Sequence, residues 1–218
     1  METPETYIDS DSFEVAHNFS TYIHSLVKKC SHVETAKALF NTVERKGIGS
    51  FIGWLYTTDY FKAPASTKYH EAYEGGLVEH SLKVTYYLSR INDDYLNSKY
   101  SKDSIIICGL LHDICKTDFY KIYQRNVKDD STGKWHKEDA YTVAEKFPFG
   151  GHGSKSVYLI QKHGLFITDE EATAINCHMG GWDTTVYHNP SKAFELYNLA
   201  TALHIADMLA SYIPFQGE

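Results

Sequence analysis

Ser104-Ile-Ile-Ile-Cys-Gly-Leu-Leu-His-Asp-Ile-Cys-Lys116 is apolar on nearly every side as far as Ile114. That pattern belongs to a helix buried at the centre of a bundle, since a surface helix would carry a polar face. His112 and Asp113 stand at its end. A buried carboxylate without a partner is costly, and a divalent cation is one way to relieve it. An isolated His-Asp pair reads equally as an exposed helix terminus, so its meaning rests on the rest of the chain.

Helical patterns surround this segment. Phe13 to Lys29 and Val33 to Arg45 are amphipathic, and Gly47 to Tyr60 forms an aromatic-rich third helix ending before Pro64. Leu77 to Ile91 repeats apolar residues at helical spacing, and His80 falls on that stripe. After the central helix, Asp118 to Arg125 and Trp135 to Thr142 alternate around the turn-rich KDDSTGK, which predicts an inserted β-hairpin. A helix follows from Ser154 to Lys162, and another opens on the capping box Thr168-Asp-Glu-Glu171 and runs to His178. A long final helix is predicted over Ser191 to Ile213, closed by Pro214. The fold class is mainly α, a helical bundle with a small inserted hairpin. Residues 1–62 are expected as N-terminal helices packed on a core domain of 63–213, the two forming one structural unit.

Composition narrows the class of function. A chain of 218 residues, 43% apolar and 22% charged, suits one large globular domain, and no apolar run reaches the length of a membrane span. The start, METPETYIDSDSFEVAH, has neither the basic nor the apolar part of a secretory leader, so a cytoplasmic location is expected. Four scattered cysteines, Cys30, Cys108, Cys115 and Cys177, form no CxxC pair and predict free thiols. The net charge of −7 argues against a protein that grips long nucleic acid by neutralising phosphates.

Twelve histidines are the unusual feature of this composition, and the informative ones lie on apolar helix faces. His80 does, and Asp207 lies in ALHIADMLA of the final helix. With His112 and Asp113 they make four potential ligands on three helices, and mixed imidazole and carboxylate ligation suits Mn, Fe, Zn or Co better than Ca.

The order His80, His112-Asp113, Asp207 resembles the H…HD…D signature of the HD superfamily of metal-dependent phosphohydrolases. GGLVEHS (75–81) and LLHDICK (110–116) are similar to its two best-marked segments. Within the matching region, Ala63 to Ala210, the stretch APASTKYHEAYEGGLVEHSLKV resembles the HD domain of bacterial 3′-to-5′ exoribonucleases. The resemblance implies an HD-domain helical bundle. From two-metal HD phosphodiesterases it adds His152 and His178, so that the implied metal set is His80, His112, Asp113, His152, His178 and Asp207, with Asp113 bridging two divalent transition-metal ions (Mn, Fe, Ni, Co or Zn). Two ions about 3.5 to 4 Å apart can share and acidify a water and clamp the phosphoryl oxygens. Read from the residues alone, His152 is also compatible with a Gly-rich loop and His178 with a helix C-terminal cation.

The motif commonly reads HDIGK, whereas Cys115 stands here at the glycine position, adding a side chain near the site without removing a ligand. Lys116 is retained, and the resemblance implies contact with substrate phosphate. His70 is a candidate for touching substrate or protonating the leaving oxygen. Asp183 is a candidate for lining the pocket or orienting a ligand histidine, and His204 for a supporting position near Asp207. Three functions are consistent with these residues: a phosphodiesterase acting on a nucleotide or short oligonucleotide, a nucleoside monophosphate phosphomonoesterase, and a non-catalytic nucleotide-sensing module. Across the hairpin six basic residues face four acidic ones, which is no phosphate-tracking groove, so a small nucleotide or short single strand is the expected partner rather than long nucleic acid.

Overall fold

The computed structural model describes residues 19–144, 150–183 and 190–215. Their elements run α1 (Phe19–Lys29), α2 (His32–Asn41), α3 (Ile48–Leu55), α4 (Gly76–Tyr95), α5 (Lys102–Leu111), a 3₁₀ turn (Ile114–Lys116), β1 (Tyr120–Lys128), β2 (Trp135–Val143), α6 (His152–Lys162), α7 (Asp169–Cys177), a 3₁₀ turn (Gly180–Trp182), α8 (Pro190–Leu196) and α9 (Asn198–Tyr212). The predicted segment Phe13 to Asn18 lies outside the described residues. The architecture is helical with a two-stranded antiparallel sheet.

As its sequence demands, α5 is enclosed, with Ile105 to Leu111 all buried. Ser101 caps its N-terminus by accepting from Ser104 N–H. It lies against α4, which also packs on α9, while α7 packs on α9 and α6. Gly109 permits the α4–α5 approach: a Cβ there would fall 2.4 Å from Thr85 Oγ1. Gly153 does the same where α6 meets the end of α7, since its Cβ would fall 2.2 Å from Asn176 O. Gly109 lies one turn before His112 and Gly153 directly follows His152, so both close approaches fall beside histidines. Residues of the first three helices, among them Ile23, Leu39, Phe40, Phe51 and Leu55, join the same apolar cluster as Leu88, Ile106 and Leu203.

Several predicted helices differ in extent, and α4 runs on past Ile91 to Tyr95. The second ends at Asn41 rather than Arg45, which frees Arg45 to pair with Glu171 at the start of α7 through bonds of 2.8 and 3.0 Å. The third ends at Leu55, where Thr57 and Thr58 turn their hydroxyls onto the carbonyls of Trp54 and Leu55. The predicted final helix is two helices, broken at an extended Tyr197. Tertiary structure overrides local pattern there: Leu199 N–H donates to Tyr100 Oη at 3.1 Å from the segment before α5. The hairpin is where the alternation places it, paired from Tyr120 with Val143 to Lys128 with Trp135.

Candidate metal centre

His112 and His178 are both helix ends. Each occupies the C-cap position, of α5 and of α7, and turns Nδ1 onto the carbonyl three residues back: Gly109 O at 2.8 Å and Ile175 O at 2.7 Å. Each thereby satisfies a carbonyl that a helix terminus leaves open. A carbonyl only accepts, so Nδ1 carries the proton in both rings and Nε2 of the neutral ring offers a lone pair. Both Nε2 atoms are buried without a hydrogen-bond partner. Both face Asp113, at 3.5 Å from Oδ2 for His112 and 3.5 Å from Oδ1 for His178.

Asp113 sits between α5 and the 3₁₀ turn, and its two oxygens look in two directions. Lys116 Nζ lies 2.6 Å from Oδ2. On the Oδ1 side are His152 Nδ1, at 3.9 Å from the first turn of α6, and Cys115 Sγ, also at 3.9 Å. On the far side of His112, His80 Nε2 from α4 lies 3.1 Å from Asp207 Oδ1 of α9, which is 3.9 Å from His112 Nε2. All six residues that the sequence singles out as ligands therefore converge. They form overlapping groups of donors, His80 with His112 and Asp207, His112 with Asp113 and His178, and Asp113 with Cys115 and His152.

The electrostatics favour a cation. Burial is the largest influence on each group. It pushes His112 and His152 down and keeps them neutral, while at His178 the contact with Asp113 outweighs it and raises the ring. Burial alone would raise the Asp113 carboxyl, but Lys116 and then His112 outweigh it and hold it well below the usual range. Asp207 is likewise held low, against burial, by His80. Burial and then Asp113 push the Cys115 thiol up. Two ionised carboxylates and two imidazole lone pairs without donors thus face one another in a buried space, with Lys116 as the ammonium among them. A divalent cation would take the lone pairs and balance the carboxylates, so the donor set fits the metal chemistry expected of it.

Beside the cluster opens a cavity of about 490 Å³, lined among others by His70, Asp113, Lys116, His152, His178, His204 and Asp207. Its walls carry Tyr69, Phe119, Tyr120, Trp182, Tyr212 and two methionines, Met179 and Met208. His70 stacks obliquely on His80, ring centroids 4.7 Å apart. Burial, then His80 and Lys116, push it down to about 4. Asp183 lies not in the cavity lining but against Gly151, next to His152, whose titration it influences. His204 supports the site from behind, its Nδ1 donating to His178 O at 2.6 Å. Of the other histidines, His163 stacks on Trp54, His136 pairs with Glu138, and His17 and His188 lie outside the described residues.

One nearby carboxylate was not legible in the sequence. Glu71 Oε2 is buried, unpartnered, and 3.7 Å from the equally unpartnered His80 Nδ1. It has the place of a group that orients a ligand imidazole from its far side. Its backbone is left-handed at φ 41°, and its other oxygen accepts from Lys83 at 2.9 Å. It lies in an irregular segment without periodicity, and its nearness to His70 was the only signal.

The HD domain family matches residues 77–212, a span that includes all six potential ligands and leaves out the flanking His70 and Glu71. The chain belongs to the HD domain family and is a metal-dependent phosphohydrolase. It is similar to the dihydroneopterin 2′,3′-cyclic phosphate phosphodiesterase of Methanocaldococcus jannaschii, 41% identical over 184 residues, covering 69% of this chain and 74% of the relative. No solved structure matches the chain. No described helix is long and apolar enough to cross a membrane.

Proposed function

We propose that the chain is a phosphodiesterase that opens a small cyclic phosphodiester, of a nucleotide or of a compound built like one, with two divalent ions held by His80, His112, Asp113, His152, His178 and Asp207. The observation that carries this reading is Asp113, whose two oxygens face two different sets of nitrogen donors at 3.5 to 3.9 Å. A carboxylate so flanked is suited to bridge. The relative's activity on a 2′,3′-cyclic phosphate supports the diester over the monoester.

Ions bound there would supply Lewis acidity to the phosphoryl oxygens and a water acidic enough to attack at neutral pH. The chain's own groups account for the remainder. Lys116 is buried and, despite that burial, Asp113 keeps it protonated, so its ammonium is available to a phosphoryl oxygen at the cavity wall. Tyr120 is raised to about 12 by burial and stays a hydroxyl donor beside it. His70, at about 4, is a neutral imidazole at physiological pH, which favours a hydrogen bond to substrate over donation of a proton to the leaving oxygen. Hydrolysis adds water across one P–O ester bond and yields a monoester and a freed hydroxyl.

The cavity has the volume of a small-ligand site, and its aromatic walls offer flat surfaces for a heterocycle. A short single strand would have to be accommodated at its mouth. The test is a panel of 2′,3′-cyclic, 3′,5′-cyclic and linear diesters and of monoesters, assayed with Mn, Fe, Ni, Co and Zn. Ring opening of a cyclic diester to a monoester is expected. Turnover of monoesters alone would instead establish the phosphomonoesterase, and tight nucleotide binding without turnover under any metal the sensing module.

A further inference from the structure

Among the described residues, Cys115 is the potential ligand beside Asp113 that this function leaves unused. It is fully buried, and its backbone N–H is anchored on Ser156 Oγ at 3.3 Å, so the 3₁₀ turn holds it against α6. Its Sγ lies 3.5 Å from His152 Nδ1 and 3.9 Å from Asp113 Oδ1. The same oxygen is faced by the unpartnered, fully buried His178 Nε2 at 3.5 Å. Asp113, Cys115 and His152 therefore offer donors of three chemical kinds within 4.8 Å of one another, contributed by the 3₁₀ turn with its N-cap and by α6.

We propose that Cys115 is a direct ligand of the ion at Asp113 and His152, which makes that position a mixed sulfur, nitrogen and oxygen site selective for Zn, Co or Fe(II) over Mn or Mg. The inference rests on the two-ion reading above and concerns one of its two positions. Sulfur at ~2.3 Å and nitrogen at ~2.0 Å from a common tetrahedral ion stand roughly 3.5 Å apart, the separation found between Cys115 and His152. Charge agrees: a thiolate adds one negative charge to Asp113, whose carboxylate the two ions would share, while imidazole ligands stay neutral. Forming the metal–sulfur bond releases the thiol proton to solvent. A soft thiolate then biases the position toward borderline ions, whereas imidazole and carboxylate alone would admit Mn. A thiol hydrogen bond from Cys115 to His152 would occupy the same distance, so distance alone does not separate the two.

Cobalt does. Metal-free full-length protein titrated with Co(II) is expected to develop a near-ultraviolet thiolate-to-cobalt charge-transfer band, and cobalt-edge X-ray absorption on the unsubstituted protein a sulfur neighbour at ~2.3 Å. Cys115→Ser should lose the band while retaining visible d–d absorption, and Cys177→Ser should keep both. Cobalt bound with only nitrogen and oxygen neighbours and no near-ultraviolet band would overturn the inference and leave the two-ion reading standing. A band that survives in Cys115→Ser would also overturn it. Absence of any cobalt binding would remove the metal reading itself. If Cys115→Ser does not fold, the absorption edge of the unsubstituted protein decides alone.

Discussion

Replacing Glu171 by Gln should cost the protein stability and leave its chemistry intact. Glu171 is buried and receives Arg45 through two bonds, at 2.8 and 3.0 Å, and Arg45 is itself only 15% exposed. Removing one partner of a buried ion pair costs about 3 to 5 kcal/mol, and partial access of Arg45 to water brings the expectation to about 2 to 3 kcal/mol. Glu171→Ala also removes the acceptor of Thr168 N–H at 2.8 Å, half of the α7 capping box, and adds about 1 kcal/mol. For a chain of this size each kcal/mol moves Tm by roughly 2 to 4 °C, so Glu171→Gln should melt roughly 4 to 12 °C lower at pH 7. The pH dependence has a definite sign. Burial alone would raise the Glu171 carboxyl, but Arg45 and the Thr168 N–H outweigh it and lower it. A depressed carboxylate contributes stability above its unfolded value, about 4.3, and loses it as pH falls through the folded value. The gap between wild type and Glu171→Gln should therefore close in acid. Because seven residues of helical rise set Glu171 apart from His178 by roughly 10 Å, kcat of the folded variant should be unchanged. Paired thermal melts at pH 7 and below pH 4 check this. A Glu171→Gln gap under ~0.5 kcal/mol at pH 7, within the scatter of ordinary surface substitutions, or one that widens in acid, would refute the reasoning.

Four further outcomes are expected. His178→Ala or His152→Ala should lower metal occupancy toward one ion per chain with the helical circular dichroism retained, and Asp113→Ala should disturb both ions and abolish turnover; elemental analysis with activity reads both. Gly109→Ala forces a Cβ into Thr85, should cost about 1 to 3 kcal/mol by overpacking, and should weaken metal binding because α4 and α5 carry His80 and lead into His112; urea melts and metal titration check it. Lys116→Ala should raise KM or lower kcat for the natural substrate. Turnover of that substrate should fall only weakly with salt, since few phosphates are neutralised, and a steep slope in salt-dependent kinetics would count against a small substrate.

What the sequence disclosed depended on whether the deciding contact was local. The buried α5 was legible because Ile105 to Leu111 run apolar without a break, and His80 and Asp207 stood out as polar residues in apolar helical surroundings. The convergence of the six potential ligands followed from their order and a resemblance, and the structure brings them within reach of one another. The break at Tyr197 was not legible, because the group that takes the Leu199 N–H is Tyr100, 99 residues earlier in the chain. Arg45 looked like the last turn of a helix because Glu171, 126 residues on, is invisible to any local pattern. Glu71 escaped for a related reason: its strained backbone carries no periodic signature, and its meaning comes only from facing His80.

The two histidines at helix ends join the fold to the chemistry. A helix must do something with its last carbonyls, and at the ends of both α5 and α7 a histidine meets that need with Nδ1. Doing so fixes the tautomer and the ring plane before any ion arrives, and directs Nε2 inward. Because α5 and α7 both end at Asp113, the two rings, their centroids 5.0 Å apart, address different oxygens of one carboxylate. The same His178 that could be read as a simple C-terminal cation does occupy that position, yet its C-cap bond uses only one nitrogen. Helix termination and ligand orientation are thus one arrangement, and a substitution that keeps a cation at either position, such as Lys, would preserve the favourable helix-end charge while removing the inward lone pair.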